Sequence, residues 1–232
     1  MTTIAERARN IRALIDKACQ QADRDPQSVT LVAVSKTHPS DAIRAAAEAG
    51  LTDVGENYVQ EAVDKFDQLT ELPLTWHFIG PLQSNKTRPI AERFDWVQTV
   101  DREKIAHRLS EQRPESLAPL NVLIQVNISE DPNKSGVSLA EVPALAEQIR
   151  SLPRLKLRGL MAIPAAELTP EQQRQQFQRL KEAQLILQQQ DPECDTLSLG
   201  MSDDFVDAIT AGSTMVRVGS AIFGQRDYSK QA

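Results

Sequence analysis

The sequence predicts a single (β/α)8 barrel of the TIM type, preceded by an extra helix at the N-terminus. Its 232 residues fall within the range that one α/β barrel occupies. From Thr30 onward, eight short apolar runs alternate with helical patterns, which is typical of parallel strands joined by crossover helices. The runs leave about 25 residues for each unit, a spacing that favours a barrel over a doubly wound sheet with an added domain. We therefore expect residues 1–232 to form one α/β-barrel domain.

The predicted elements follow in chain order. The first is a helix of about 20 residues, whose apolar side chains recur at spacings of three and four and predict one face packed on the barrel. These side chains are Ile4, Ala8, Ile11, Ile15, Ala18 and Ala22. The eight predicted strands span residues 31–34, 52–54, 76–79, 96–97, 122–128, 157–163, 196–199 and 215–218. Patterns typical of capping boxes begin two of the intervening helices, at Ser138 and at Thr169.

The composition excludes several classes of protein. With 32 acidic and 26 basic side chains the formal net charge is -6, opposite in sign to the charge that binds nucleic-acid phosphates. No apolar run approaches the roughly 18 residues of a membrane helix, and the N-terminus lacks a secretion signal. We therefore expect a cytoplasmic protein with neither nucleic acid nor membrane as a partner. Cys19 and Cys194 lack CxxC spacing, which argues against a disulfide framework and against zinc.

Lys36 is the first candidate for chemistry. It follows the apolar run Leu31-Val32-Ala33-Val34-Ser35, and strand alternation places it on the same side as Val32 and Val34, at the C-terminal end of the strand. Partial dehydration at a barrel mouth favours the neutral amine, which can attack an aldehyde. Taken alone, a lysine in this position is more often a solvated loop residue, so other residues have to decide.

Two segments near the C-terminus suggest a phosphate site. Gly200-Met201-Ser202 opens a predicted short helix after strand seven, and Gly219-Ser220 follows strand eight. The loops after these two strands often bind phosphate in such barrels, because backbone N–H groups and a helix N-terminus are available there. Ser202 could equally be the helix N-cap, with Asp203 and Asp204 complementing the helix dipole. If phosphate binds, both aspartates have to point away from it.

Three further side chains allow two interpretations each. Strand alternation directs Arg217 into the barrel interior, where its partner would be either an internal carboxylate or a ligand with an anionic or acceptor group. Asn57, which follows strand two, would contact a ligand ring or serve local backbone bonding. His77 has no second metal ligand at suitable spacing, so we expect a hydrogen-bonded histidine of the barrel rather than a metal site. His38 and His107 are predicted to be loop or surface residues.

Six motifs occur in order along essentially the whole chain. They are Ala33-Val34-Ser35-Lys36-Thr37, Gly55-Glu56-Asn57-Tyr58, His77-Phe78-Ile79-Gly80-Pro81-Leu82-Gln83, Gly159-Leu160-Met161, Leu199-Gly200-Met201-Ser202 and Val216-Arg217-Val218-Gly219. Together they closely resemble the pyridoxal phosphate homeostasis proteins (YggS/PROSC). The resemblance implies a barrel similar to the N-terminal domain of alanine racemase (PLP fold type III), which binds pyridoxal 5'-phosphate (PLP) without a demonstrated enzymatic reaction.

The resemblance also implies a role for each matching residue. Lys36 would form the internal aldimine with PLP, Asn57 would lie by the ring, and Arg217 would face the pyridine nitrogen. The residues implied to hold the phosphate are Ser202, Gly219 and Ser220. Many relatives have threonine where Ser220 stands, and since serine keeps the hydroxyl and the backbone donor, we expect phosphate binding to persist.

The predicted function is a PLP reservoir or carrier in intracellular vitamin B6 and amino-acid homeostasis, without strong catalytic activity. An arginine at the ring nitrogen favours its unprotonated form, which weakens PLP as an electron sink. Alanine racemases also use arginine, but they add a second domain with a tyrosine base. Here only residues 221–232 follow the last barrel unit, and Tyr58 and Tyr228 are the only tyrosines.

Three alternatives stay open at this point. A PLP-dependent amino-acid racemase would use the same lysine and arginine, and a Schiff-base aldolase acting on a phosphorylated sugar would use the lysine and the phosphate site. A pure interaction module would need neither. For the predicted carrier, the expected partners are PLP and, as recipients, PLP-dependent apoenzymes, and the family resemblance favours a monomer.

Overall fold

The computed structural model describes residues 2–165 and 167–224, and their eight strands close into one parallel barrel. Each strand pairs with the next in sequence, and β1 pairs with β8 to complete the ring. The strands are β1 (Thr30–Val34), β2 (Asp53–Glu56), β3 (Thr75–Phe78), β4 (Trp96–Val100), β5 (Leu120–Val126), β6 (Leu155–Ala162), β7 (Thr196–Ser198) and β8 (Met215–Val218). The predicted barrel is confirmed.

The end of β4 is the least accurate of the predicted strand boundaries. The sequence predicts a strand over residues 96–97, whereas β4 continues to Val100. Gln98 and Thr99 interrupt the apolar pattern, yet both are buried, because their side chains find hydrogen-bond partners within the protein. Hydrophobic patterning underestimates a strand whose polar side chains are satisfied inside a barrel.

The described residues also form nine α-helices that alternate with the strands. They are α1 (Ile4–Gln21), α2 (Ser40–Glu48), α3 (Val59–Gln68), α4 (Thr87–Ala91), α5 (Glu103–Gln112), α6 (Val142–Arg150), α7 (Pro170–Gln190), α8 (Phe205–Thr210) and α9 (Ser220–Phe223). Both predicted capping boxes are present: Thr169 caps α7, and Ser138 caps a short 3-10 turn that leads into α6. None of these helices combines the length and apolar character needed to cross a bilayer within the described ranges.

The extra N-terminal helix is confirmed, and its apolar face is part of the core. A capping box between Thr3 and Glu6 begins α1, and Ala22 forms its C-cap. Four members of the predicted stripe, Ala8, Ile11, Ile15 and Ala18, are buried and pack in a cluster with residues of α2, α8, α9, β1 and β8. The helix therefore covers the region where the first and last strands meet. Cys19, in this helix, and Cys194 are buried and free.

Gly159 in β6 occupies a position where the barrel wall leaves no room for a side chain. Its φ is +139°, and a Cβ would overlap the carbonyl oxygen of Thr196 on β7 and the side chain of Gln184 on α7. The pairing of β5 with β6 shifts register beside this residue, between Val122 and Leu123. A bulged strand of this kind needs glycine where another backbone approaches closely.

We predict that Gly159→Ala destabilises the barrel by about 2–4 kcal/mol, because the new methyl group both strains the backbone and meets a carbonyl oxygen. Urea-induced unfolding checks this value. The control is Gly212→Ala, where φ is +110° but the nearest atoms belong to the flexible Lys181 side chain, so a loss of about 1 kcal/mol is expected. Equal losses in the two variants would contradict the proposed overlap at Gly159.

Candidate functional site

A cavity of about 230 Å³ opens at the C-terminal mouth of the barrel. Each of the six residues predicted from the sequence lies in its wall, and they come from the ends of β1, β2, β7 and β8. They are Lys36, Asn57, Ser202, Arg217, Gly219 and Ser220. Active and binding sites of such barrels lie at this face, because the loops after the strands converge there. The structure therefore brings all the predicted site residues together.

Lys36 follows β1 and lines the cavity together with Val34, as strand alternation predicts. The next residue, Thr37, has a φ of +67°, a conformation that is unusual for a β-branched residue and is held only by surrounding contacts. One such contact is visible, since the Thr37 backbone N–H donates to Oε1 of Glu61 over 2.6 Å. The turn that carries Lys36 is thus tied to α3.

An ionic group lies behind this turn and is here called the Lys65 cluster. It consists of the buried residues Ser35, Glu56 and Lys65 and the partly exposed Glu61. The Lys65 ammonium donates to the Ser35 carbonyl oxygen at 2.8 Å, to Glu56 Oε1 at 2.7 Å and to Glu61 Oε1 at 2.6 Å. The Ser35 hydroxyl donates to the same Glu56 oxygen. Burial raises the pKa of Glu56, while Lys65 and the Ser35 hydrogen bond oppose that rise. The cluster therefore joins the residue that precedes Lys36 to β2 and α3.

Asn57 is held by a close backbone approach from the loop after β3. A Cβ on Gly80 would overlap the carbonyl group of Asn57, so only glycine permits this packing. The side-chain oxygen Oδ1 of Asn57 is buried and has no hydrogen-bond partner within the described residues. A buried acceptor without a partner is costly unless a ligand or water satisfies it, which fits a ligand-binding role.

The loop after β7 shows that Ser202 is not the N-cap of the helix that follows it. Helix α8 begins at Phe205, and its N-cap is Asp204, so the alternative in which Ser202 caps the helix is wrong. The Ser202 hydroxyl instead accepts the backbone N–H of Gly219 over 3.3 Å, linking the loops after β7 and β8. Asp204 accepts the N–H of Met201 at 2.6 Å, and Asp203 is one of the residues that line the cavity.

Arg217 on β8 lies inside the barrel, as predicted, and is only 3% exposed. Its Nη1 donates to Ser198 Oγ at 2.6 Å and its Nη2 to the Ala162 carbonyl oxygen at 2.9 Å. Both of these acceptors are neutral, so within the described residues its direct partners are a hydroxyl and a carbonyl oxygen rather than an internal carboxylate. Burial lowers the pKa of Arg217 to about 10, partly offset by Asp204. The guanidinium therefore stays charged at neutral pH.

The histidines show what sequence reasoning resolved and what it missed. His77 is a buried, hydrogen-bonded barrel residue, as predicted, and His107 is on the surface. His38 follows Lys36 by two residues, and its ring stacks on Phe223 with centroids 5.2 Å apart. It lines the cavity, which no periodic pattern indicated. Its proximity to Lys36 in sequence was the one available signal.

Several other groups bear on the chemistry of the mouth. Apolar side chains complete the cavity wall: Ile79, Ile163 and Met201. Tyr58 is 54% exposed, and Tyr228 lies outside the described residues. No group of three or more metal-ligating side chains occurs in the described part of the chain.

Comparison with known proteins first identifies the structural class of this barrel. A family model described as the N-terminal domain of alanine racemase matches residues 7–227. An alanine racemase from Corynebacterium glutamicum superposes with a TM-score of 0.70 over 94% of this chain and 62% of the racemase, at 18% identity. That likeness shows the fold alone. The class is a barrel of the alanine racemase N-terminal type.

Closer relatives narrow the class to one family. The pyridoxal phosphate homeostasis protein of Pseudomonas aeruginosa is 56% identical over 100% of both chains, and that of Escherichia coli K12 is 54% identical over 100% of both. The structure of PipY from Synechococcus elongatus with PLP bound has 39% identity and a TM-score of 0.83, covering 96% of this chain and 100% of PipY. The chain belongs to the pyridoxal phosphate homeostasis protein family.

We predict that Lys65→Met destabilises the protein by about 3–5 kcal/mol near pH 8, because Glu56 then stays buried without its cation. The pKa of Glu56 is already raised in the folded state, and loss of Lys65 raises it further. The folded state of the variant then binds a proton on Glu56 more tightly than the unfolded state does, so the destabilisation becomes smaller as the pH falls toward about 5. Urea unfolding at both pH values measures the difference.

The matched control for this prediction is Lys17→Met, since Lys17 is exposed on α1 and should change stability by no more than about 0.5 kcal/mol. The double variant Glu56→Gln/Lys65→Met should recover part of the lost stability and lose the pH dependence. A loss in Lys65→Met that is the same at both pH values would show that Glu56 is not the group left unpaired.

Proposed function

We propose that this chain binds PLP at the C-terminal mouth of its barrel and acts as a reservoir or carrier of the cofactor in vitamin B6 and amino-acid homeostasis. The observation that carries this proposal is the convergence of Lys36, Arg217 and three potential phosphate-binding residues on one cavity. The names of the relatives and the PLP-bound structure of PipY support it. Residues 1–232 are proposed to form one domain with this function.

The functional groups of the cavity match those of PLP, which carries an aldehyde, a phosphate, a ring hydroxyl and a pyridine nitrogen. Lys36 supplies a primary amine that can condense with the aldehyde, forming a C=N bond as the carbonyl oxygen leaves as water. Ser202 and Ser220 supply two hydroxyls for the phosphate. The third residue, Gly219, supplies a backbone N–H that donates to Ser202 Oγ over 3.3 Å here, a long bond that a phosphate oxygen would replace. Arg217 supplies donors for the ring nitrogen, and Asn57 adds an amide.

The same residues account for a weak catalytic role. PLP supplies electron withdrawal through its ring, most strongly when the ring nitrogen is protonated. Arginine has N–H donors and no acceptor, so a ring nitrogen that faces Arg217 has to be the acceptor and carries no proton. Arg217 therefore binds and orients the ring without activating it. We propose that the protein is not an enzyme with strong turnover.

Amino-acid racemisation is the second candidate, because it would use the same Lys36 and Arg217. Assays of D- and L-amino acids with purified protein compare the two functions directly. We expect no interconversion above the rate with free PLP, and clear turnover that depends on Lys36 would replace the carrier proposal with a racemase.

The proposed recipients of PLP are PLP-dependent apoenzymes, and the proposed state is a monomer in the cytoplasm. A carrier of this kind needs an open site, and Lys36 and His38 are both partly exposed at the cavity. Light scattering of the purified protein measures the oligomeric state, and a dimer would contradict that part of the proposal.

We predict a visible absorbance band for PLP bound to the wild-type protein, with borohydride reduction fixing the label on Lys36 in peptide maps. Lys36→Ala should lose the band, because the amine that condenses with the aldehyde is gone. The control Lys17→Ala removes an exposed lysine of α1 and should keep both band and label. The absence of a band even with added PLP would reopen the aldolase and interaction-module alternatives.

We predict that Ser202→Ala/Ser220→Ala raises the Kd for PLP about 10–100-fold, because each lost hydroxyl removes a hydrogen bond to a charged phosphate. Binding of pyridoxal, which lacks the phosphate, should stay within about twofold of the wild-type value. Fluorescence titration measures both ligands, and Ser151→Ala, at an exposed position, is the control. Equal losses for PLP and pyridoxal would place the phosphate elsewhere.

A further inference from the structure

A chain of hydrogen-bonded side chains crosses the barrel interior and ends on Arg217. Arg217 Nη1 lies 2.6 Å from Ser198 Oγ, and Ser198 Oγ lies 2.6 Å from Gln98 Oε1. Gln98 Nε2 lies 3.1 Å from His77 Nδ1, and His77 Nε2 lies 2.9 Å from Asp53 Oδ1. These five residues belong to β8, β7, β4, β3 and β2, respectively. We refer to them as the interior chain.

The contacts of the interior chain define the direction of every hydrogen bond. Arginine can only donate, so Ser198 accepts from Arg217 and directs its own proton to the Gln98 oxygen. With the Gln98 nitrogen donating to Nδ1 of His77, the ring proton of His77 lies on Nε2 and is donated to Asp53. All donors point from Arg217 toward Asp53, and aligned hydrogen bonds of this kind polarise one another. A cation stands at the donating end and a carboxylate at the accepting end.

Burial makes the interior chain costly unless it is complete. His77, Gln98 and Ser198 are each 0% exposed, and Arg217 is 3% exposed. The interior of such a barrel is ordinarily filled by layers of apolar, branched side chains, and a polar group placed there costs free energy unless it is paired. Each member has a partner on both sides, except at the two ends. The end at Arg217 lines the cavity.

We infer that Ser198, Gln98, His77 and Asp53 are positioning residues for Arg217. They hold its guanidinium in one orientation, in which Nη1 donates to Ser198 and Nη2 donates to Ala162. The part of the guanidinium that faces the cavity then presents its N–H groups to the ligand ring in a single orientation. The inference rests on the proposed function, in which Arg217 donates to the ring nitrogen of PLP. Without Ser198, Nη1 loses its fixed acceptor and the guanidinium can turn within the barrel.

The test compares two ligands in the full-length protein: PLP and its carbocyclic analogue, in which C–H replaces the ring nitrogen. Both keep the aldehyde and the phosphate. Their intrinsic differences in reactivity are the same for every variant, so the change in the ratio of their Kd values between the wild-type protein and a variant reports the contact at the ring nitrogen. We expect the wild-type protein to prefer PLP and Ser198→Ala to lower that preference about three- to tenfold. Attachment of PLP to Lys36, followed by borohydride labelling, should persist.

Two further variants separate positioning from folding. Gln98→Met fills a similar volume two links away from Arg217 but breaks the chain, and it should lower the preference in the same direction. Ser198→Thr restores the hydroxyl and should recover most of it. The matched control is Ser213→Ala: Ser213 is also 0% exposed, yet its hydroxyl contacts only backbone carbonyl groups of residues 197, 199 and 215, so the preference should not change.

The outcomes distinguish the inference from the function on which it rests. If Ser198→Ala lowers thermal stability but keeps the wild-type preference, the interior chain is purely structural and the inference is overturned. A wild-type protein that binds the two ligands equally would also overturn it, since Arg217 would then not read the ring nitrogen. Failure of the wild-type protein to bind PLP at all would instead overturn the proposed function itself.

Discussion

The parallel pairing of β1 with β8 is the constraint on which the rest of the site depends. In its register Val32 lies opposite Arg217 and Ala33 opposite Val218, which brings the first and last strands side by side. Lys36 and Gly219 then leave adjacent strands at the same face of the barrel. Helix α1 packs over this junction. Without closure, Lys36 would lie at one edge of an open sheet, and Arg217 with the loops after β7 and β8 would lie at the other.

Two buried basic side chains of this protein differ in how their positive charge is stabilised. Lys65 and Arg217 are both buried, but they are stabilised differently. Two carboxylates contact Lys65, whereas Arg217 contacts a hydroxyl and a carbonyl oxygen. Burial lowers the pKa of Arg217, and neutral acceptors offset that loss of hydration less than a carboxylate would. A buried guanidinium with only neutral acceptors, such as that of Arg217, is suited to bind a ligand that presents an acceptor atom.

The relation to alanine racemase clarifies how one barrel can serve different roles. This chain covers 62% of the Corynebacterium glutamicum racemase, and the shared part is the barrel. A fold by itself does not imply an activity, because chemistry depends on the groups added around the site. Here the mouth is bordered by short loops and by exposed side chains such as Ile163 and Met201.

Much of the fold and the principal site residues could be predicted from the sequence. Strand alternation placed Lys36 and Arg217 correctly, because side-chain direction along a strand is a local property. The length and spacing of the apolar runs indicated the barrel, because alternating strands and helices can also be recognised from local patterns. The family motifs then associated Asn57, Ser202, Gly219 and Ser220 with one ligand, and the structure brings all of them to one cavity.

The sequence by itself therefore determined the barrel, its extra helix and the residues at its mouth. Only the tertiary structure decided that β4 extends through Gln98, that Asp204 rather than Ser202 caps α8, and that His38 borders the cavity. It also decided how Arg217 is held. These features depend on contacts between segments that are far apart in the chain, and periodicity carries no information about which side chains meet across a closed barrel.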